Sequence, residues 1–303
     1  MSVPAAYIVV VLIWGTTPLA IKWSGEGVGF LFGVTSRMAI GLVLALLVLR
    51  FMGLQLPWHA RARRTYLAAG LGIYLAMTTT YWSAQYIPSG WISVMFGLTP
   101  IVTGLMARLW LGEQGLTPAR LLALAVALVG LAQMFNVGLR AGGEALPGLL
   151  GVLAAVFCHS ASSVWVKRFD AGLHGLAVTA GGLIVALPLF LLSCLVQNQG
   201  WPAEIGMRTL GSIVYLGVVG SVVGFTLYFY VLRHVETTRV ALITLVTPML
   251  ALLTGQWLNG ESIDAQVLLG ALLIMLGLLG FELGSRLLRF QAFSSRARES
   301  SGQ

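Results

Sequence analysis

Of the 303 residues, 58% are apolar and only 9% are charged, against about 25% charged in an ordinary soluble domain. So few charges cannot cover an aqueous surface, and the composition suits a bilayer as solvent. The net charge of +8 would ordinarily raise nucleic acid or an acidic partner, but the positions of the charges give it another origin.

Apolar runs fall at 4–22, 29–50, 65–86, 89–111, 118–138, 147–166, 174–196, 208–231, 238–259 and 265–284. At roughly 20 residues per membrane span, they fill about two thirds of the chain and leave only short loops. The first run has no charged n-region and no small-residue cleavage motif. It extends to Lys22 and is expected to be the first helix of the mature protein. Arg37 stands about two turns into the second run. The third carries Tyr74, Thr78, Tyr81 and Gln85 on one face, with Trp82 beside them. Only Gln85 to Gly90 separates the third run from the fourth, where Pro88 and Gly90 suit a tight helical hairpin. Pro57, Pro118, Pro147 and Pro202 punctuate other breaks. Cys158 and Cys194 lie inside apolar runs, where a thiol packs as a small residue. The histidines lack metal-ligand spacing, so no disulfide, metal or cofactor is expected.

Loop charge predicts orientation. With the N-terminus cytoplasmic, fourteen of the 18 lysines and arginines fall inside; Lys22, Arg140 and Arg208 fall outside, and Arg37 lies within a span. That asymmetry fits ten spans with both ends inside, whereas nine or eleven would spoil the alternation. The basic balance is therefore a topology signal, and nucleic acid is not needed. The tail from Ser285, with Arg286, Arg289, Arg296 and Arg298 among serines, suits a solvated cytoplasmic segment able to touch anionic lipid.

The sequence also repeats. Leu98-Thr99-Pro100 matches Val246-Thr247-Pro248 at an offset of 148, and Leu111-Gly112-Glu113 matches Asn259-Gly260-Glu261 at the same offset. Gly72 and Thr78 match Gly220 and Thr226. The first helices pair at 145, setting Trp14 against His159 and Lys22 against Lys167. Five spans per half is an odd number, so the second half is expected to be inverted, an arrangement typical of transporters. The predicted fold is an all-α integral membrane protein of ten transmembrane helices in two inverted five-helix repeats, residues 1–143 and 144–284, followed by a basic tail at 285–303. Pro100 and Pro248 are candidate hinges, since proline frees a carbonyl and weakens a helix; a static packing kink is the alternative.

These features resemble the drug/metabolite transporter superfamily, specifically its EamA-type exporters. The resemblance rests on Leu12-Ile13-Trp14-Gly15-Thr16-Thr17-Pro18, on Arg37, on Pro100 followed by Leu111-Gly112-Glu113, and on the repeat at Pro248 and Gly260-Glu261. It covers about residues 5–284. It implies an alternating-access carrier with both termini cytoplasmic, a central cavity lined by helices one, three, four, six, eight and nine, and export of amino acids, other small metabolites or toxic compounds. The second half departs from the pattern, with His159-Ser160 standing where the first has Trp14-Gly15.

Ionisable groups within a span are costly and usually face a cavity. His159 is therefore a candidate substrate hydrogen-bonder or protonation site, with Ser162 and Ser163 on its face; a neutral histidine satisfying a neighbouring helix is the alternative. Arg37 could attract a substrate carboxylate, or it could serve structure by pairing with a carbonyl or snorkelling. Trp14 and Thr17, the stripe of Tyr74, Thr78, Tyr81 and Trp82, and Phe96 suit a cavity wall for an amphipathic solute, although an interfacial aromatic belt also explains part of Trp82. Thr226, Tyr230 and Thr244 join them by symmetry. Glu113 and Glu261 are expected to complement helix N-termini.

All ten acidic residues lie in loops or at span ends, which disfavours a proton/cation antiporter. The expected function is alternating-access export of a small polar or zwitterionic metabolite, such as an amino acid, across an inner (plasma) membrane. The alternatives are efflux of toxic compounds or metal-chelating metabolites and, from another class, a membrane-embedded enzyme or channel. The expected partners are the small-molecule substrate and the lipid bilayer. A monomer is expected; spacings such as Gly220 with Gly224 and Gly280 with Gly284 fit close helix packing and do not establish a dimer.

Overall fold

The computed structural model describes residues 2–112, 117–140, 143–169, 171–197, 202–235 and 243–281, with backbone alone at 244 and 245. Every regular element among them is helical. In chain order these are α1 (Val3–Ser24), α2 (Phe30–Phe51), α3 (Ala60–Ser83), α4 (Ser89–Phe96), α5 (Thr99–Leu111), α6 (Pro118–Arg140), α7 (Leu146–Phe169), α8 (Gly175–Val196), α9 (Met207–Tyr215), a π-helical segment (Leu216–Val223), α10 (Gly224–His234), α11 (Ile243–Asn259) and α12 (Ala265–Phe281).

Among the described residues, seven helical stretches are long and apolar enough to cross a membrane: α1, α2, α4 with α5, α6, α7, α8, and α9 through α10. Large apolar side chains such as Leu46, Leu71, Leu122, Val129, Leu192 and Leu276 lie on the outer surface, where only lipid tails would solvate them without cost. This is an all-α membrane protein.

Helix ends follow local chemistry. Ser2 caps α1 by accepting from the Ala5 N–H, and Lys22 in its last turn complements the helix dipole. The His59 ring caps α3 by accepting from the Ala62 N–H. The two matched prolines behave differently. The regular helix stops at Phe96 and resumes at Thr99, one residue before Pro100, which has no N–H to donate back. Pro248 instead lies inside an uninterrupted α11.

The central packing joins α3 to α7 and α8, α1 to α10 and α11, and α2 to α8 and the π segment. Gly72 lets α3 and α7 approach closely, because a Cβ there would collide with the Ser162 side chain. The periphery pairs α6 with α12 through Gly130 against Ile274 and Gly277 against Ala127.

Candidate substrate cavity

A cavity of about 80 Å³ lies where α1, α2, α3, α4, α7, α10 and α11 converge. Trp14, Thr17, Pro18 and Ile21 come from α1, Arg37 from α2, Met77 and Thr80 from α3, and Ile92, Ser93 and Phe96 from α4. His159, Phe225 and Thr247 complete it from α7, α10 and α11. Its walls are mostly apolar. The hydroxyls of Thr17 and Thr80 donate within their own helices, to Ile13 O at 2.7 Å and Ala76 O at 2.6 Å. Their oxygen lone pairs are left to accept from a ligand.

Aromatic rings converge on His159. Its ring centroid lies 5.8 Å from Trp14, 6.2 Å from Phe96 and 5.4 Å from Tyr228. Tyr228 also stands 5.1 Å from Trp14. Ser163 fixes this group from behind: its hydroxyl bonds the Tyr228 hydroxyl at 2.6 Å and donates to His159 O at 2.8 Å. Tyr81 is buried and accepts from Arg37 Nη1 at 3.5 Å.

Of the candidates read from the sequence, the cavity gathers Trp14, Thr17, Arg37, Phe96 and His159 on its wall, with Tyr81 and Ser163 just behind. Others point elsewhere. Tyr74 bonds Ser193 at 2.7 Å and packs on Phe190, tying α3 to α8. Thr78 donates to Tyr74 O, and Trp82 packs against Tyr86. Ser162 donates to Ala68 O on α3. Thr226 donates to Thr179 on α8, and Tyr230 packs on His234. Pro100 and Pro248 are buried within their helices and off the wall. The Thr244 side chain and Glu113 lie outside the described residues.

The sequence reasoning missed Met77, Phe225 and Tyr228. In the repeat Met77 pairs with Phe225, and Thr80 with Tyr228, at the same offset of 148, so neither member of a pair pointed to the other.

A polar network closes over one end of α1. Glu261, which follows α11, meets Lys22 Nζ through Oε1 at 3.4 Å. Its Oε2 accepts from Ser89 Oγ at 2.8 Å and from Gly90 N at 3.4 Å, so it caps the N-terminus of α4. Asn259 donates to Glu261 Oε1 and accepts from Trp23 Nε1, each at 2.9 Å. Burial alone would raise the Glu261 pKa. The backbone and hydroxyl hydrogen bonds at Ser89, the charge of Lys22 and the Asn259 amide outweigh it and hold the carboxyl below its ordinary 4.5.

Known proteins bear on this architecture. The chain is 27% identical over 284 residues to a transporter of Bacillus subtilis named YoaV, covering 92% of this chain and 96% of that one. It is 25% identical over 287 residues to a protein of Escherichia coli K12 named "Probable amino-acid metabolite efflux pump", covering 89% and 91%. A crystal structure of a protein with 20% identity superposes with a TM-score of 0.69, covering 94% of this chain and 99% of that chain, so the fold is shared. The model of the EamA-like transporter family matches twice, at residues 3–136 and 146–282. On the strength of these two matches, which together take in nearly the whole membrane region, the chain belongs to the EamA-like transporter family.

Proposed function

We propose that this transporter exports small polar or zwitterionic metabolites, amino acids among them, by alternating access across an inner (plasma) membrane. The observation that carries the reading is the cavity itself. Its aromatic group takes Trp14 from the first family match and His159 from the second, 5.8 Å apart. A solute held there would feel any movement of one half against the other. The halves are residues 1–143 and 144–284, taken as ten spans in two inverted sets of five, with 285–303 as a basic tail. Loop charge supports cytoplasmic termini and sets the Lys22–Glu261 network on the outer side. That network ties the halves, and it must part for release. Pro100, at the break between α4 and α5, and Pro248 in α11 are the proposed flexing points.

Within the cavity, Trp14, Phe96 and His159 hold the apolar part of the solute, and Thr17 offers a lone pair. The relative from Escherichia coli supports an amino-acid-like substrate by its name, and the apolar walls favour one with an apolar side chain. Transport, not catalysis, is the activity.

Counterflow in proteoliposomes loaded with a panel of labelled amino acids tests this. Acceleration by substrate on the far side supports a carrier; rapid conduction without it would point to a channel. Trp14→Ala and His159→Ala should each cut counterflow by about tenfold or more, the scale of losing a buried aromatic anchor. Unchanged transport in both variants, with the protein folded, would remove the site.

A further inference from the structure

Arg37 is a cation buried in the membrane interior, with 2% of its surface exposed. Its Nε donates to Ser221 Oγ at 2.9 Å. Nη1 reaches the Tyr81 hydroxyl at 3.5 Å and the Met77 sulfur at 3.9 Å. The guanidinium carbon stands 5.8 Å from the Phe225 ring centroid. None of these partners carries negative charge, and Nη2 makes no hydrogen bond among the described residues. The ion pairs among those residues lie elsewhere, at Glu261 and Glu26. An unmatched charge at this depth is expensive, so the position makes physical sense if an anion completes it.

The geometry shows where that anion would sit. Arg37 is on the cavity wall, and among the described residues no aspartate or glutamate shares that wall. A Cβ at Gly220 would stand 3.2 Å from Arg37 Nη2, and one at Gly224 would stand 3.6 Å from Trp14 Nε1. Gly220 lets the guanidinium settle against the π-helical segment, and Gly224, four residues on, lies beside the indole. A carboxylate at the guanidinium fork would therefore place a compact apolar body against the aromatic rings.

We propose that Arg37 is the anion seat of the transport cavity, and that the class of substrate it takes is the monocarboxylates with a compact apolar body, for which an amino group is not required. The inference rests on the transport function proposed above. A free amino acid fits through its carboxylate. Its ammonium finds no acidic partner among the described residues of the wall and feels the field of Arg37 in a low-dielectric setting.

The test uses three probes that share one phenyl ring: 3-phenylpropionate, L-phenylalanine and phenethylamine. Binding to the full chain is measured by titration calorimetry and transport by counterflow. The two carboxylates should bind within about threefold of each other, and phenethylamine at least about tenfold more weakly, the scale of a charge-assisted fork. Arg37→Gln should abolish that order, and Arg37→Lys should keep it with weaker affinity, because a point charge replaces the fork. Should Arg37→Gln fail to fold, Gly220→Ala serves: it keeps the charge, displaces Nη2, and should weaken 3-phenylpropionate while leaving phenethylamine unchanged. Equal or tighter binding of phenethylamine, no binding of either carboxylate, or an order intact in folded Arg37→Gln would overturn the anion seat. Carboxylate binding lost in Arg37→Gln, without counterflow in the parent, would uphold the seat and remove the transport function. Counterflow that ignores Arg37 would do the reverse.

Discussion

Lys22 and Lys167 stand at matching positions in the two family-matched segments, each near the end of a long helix, and each reaches a carbonyl 65 residues further on. Lys22 Nζ donates to Ile87 O at 3.4 Å and Lys167 Nζ to Leu232 O at 3.0 Å. From there the two ends diverge. Lys22 crosses to Glu261 in the second segment, and that carboxylate also caps α4 in the first. Lys167 adds a second carbonyl, Val235 O at 2.6 Å, beside a cavity of about 160 Å³ lined also by Thr65 and Arg233. One lysine geometry thus stands at both ends, and at the Lys22 end an acidic residue of the second segment joins it to the first.

That comparison can be broken most directly at Glu261. Glu261→Ala leaves both Lys22 and the α4 N-terminus without their anion. It should cost about 2–3 kcal/mol, the scale of removing a charged acceptor that several donors share, read by chemical unfolding in detergent. A double-mutant cycle of Lys22→Met with Glu261→Gln should give a coupling near 1 kcal/mol, since Lys22 is partly exposed. A coupling of zero would mean that the ion pair adds no tie between the segments at the Lys22 end. Acid provides an independent check. The folded carboxyl titrates below 4.5, so the native state binds fewer protons than the unfolded one. Its contribution is complete above that value and fades as the pH falls through the folded pKa. Glu261→Gln should flatten that limb of a stability–pH curve, whereas Lys167→Met should leave it in place. The smallest effect is expected from Trp23→Phe, which removes the bond to Asn259 at a cost of about 0.5–1 kcal/mol.

Much of the helix plan was legible because membrane thickness sets run length. The run at 118–138 is α6 at Pro118–Arg140, and that at 174–196 is α8 at Gly175–Val196. Boundaries slip where a helix leaves the bilayer. The third apolar run starts at 65, yet α3 begins at Ala60 and carries Arg61, Arg63 and Arg64 in its opening turns, which an apolar-run criterion rejects. The matched prolines could not be told apart, because whether a helix breaks before Pro100 or continues through Pro248 depends on packing.

The cavity wall was legible where chemistry is rare. Trp14, His159, Arg37 and Thr17 stand out because polar and aromatic groups are uncommon in mid-span. Met77, Ile92 and Phe225 could not stand out, since in a membrane the lipid-facing and cavity-facing sides of a helix are both apolar. For the same reason the polar-aromatic stripe of α3 misplaces the cavity wall: Tyr74 turns towards α8, while Met77 and Thr80, on a neighbouring face, meet the cavity.

The π-helical segment at Leu216–Val223 has a consequence for chain length. Each widened turn holds one residue more than an α turn, so the segment stores surplus length in the middle of a span. Deleting one residue there would allow an unbroken α-helix with every hydrogen bond made. It would also change how α10 is turned relative to α9, because π and α turns hold different numbers of residues. Phe225 would shift on the cavity wall, Tyr228 would shift against Trp14 and His159, and the Ser221 hydroxyl would move relative to Arg37. A shorter chain with a more regular backbone would then be the defective one, and a single-residue deletion scan through this segment should show counterflow lost while helix content is kept.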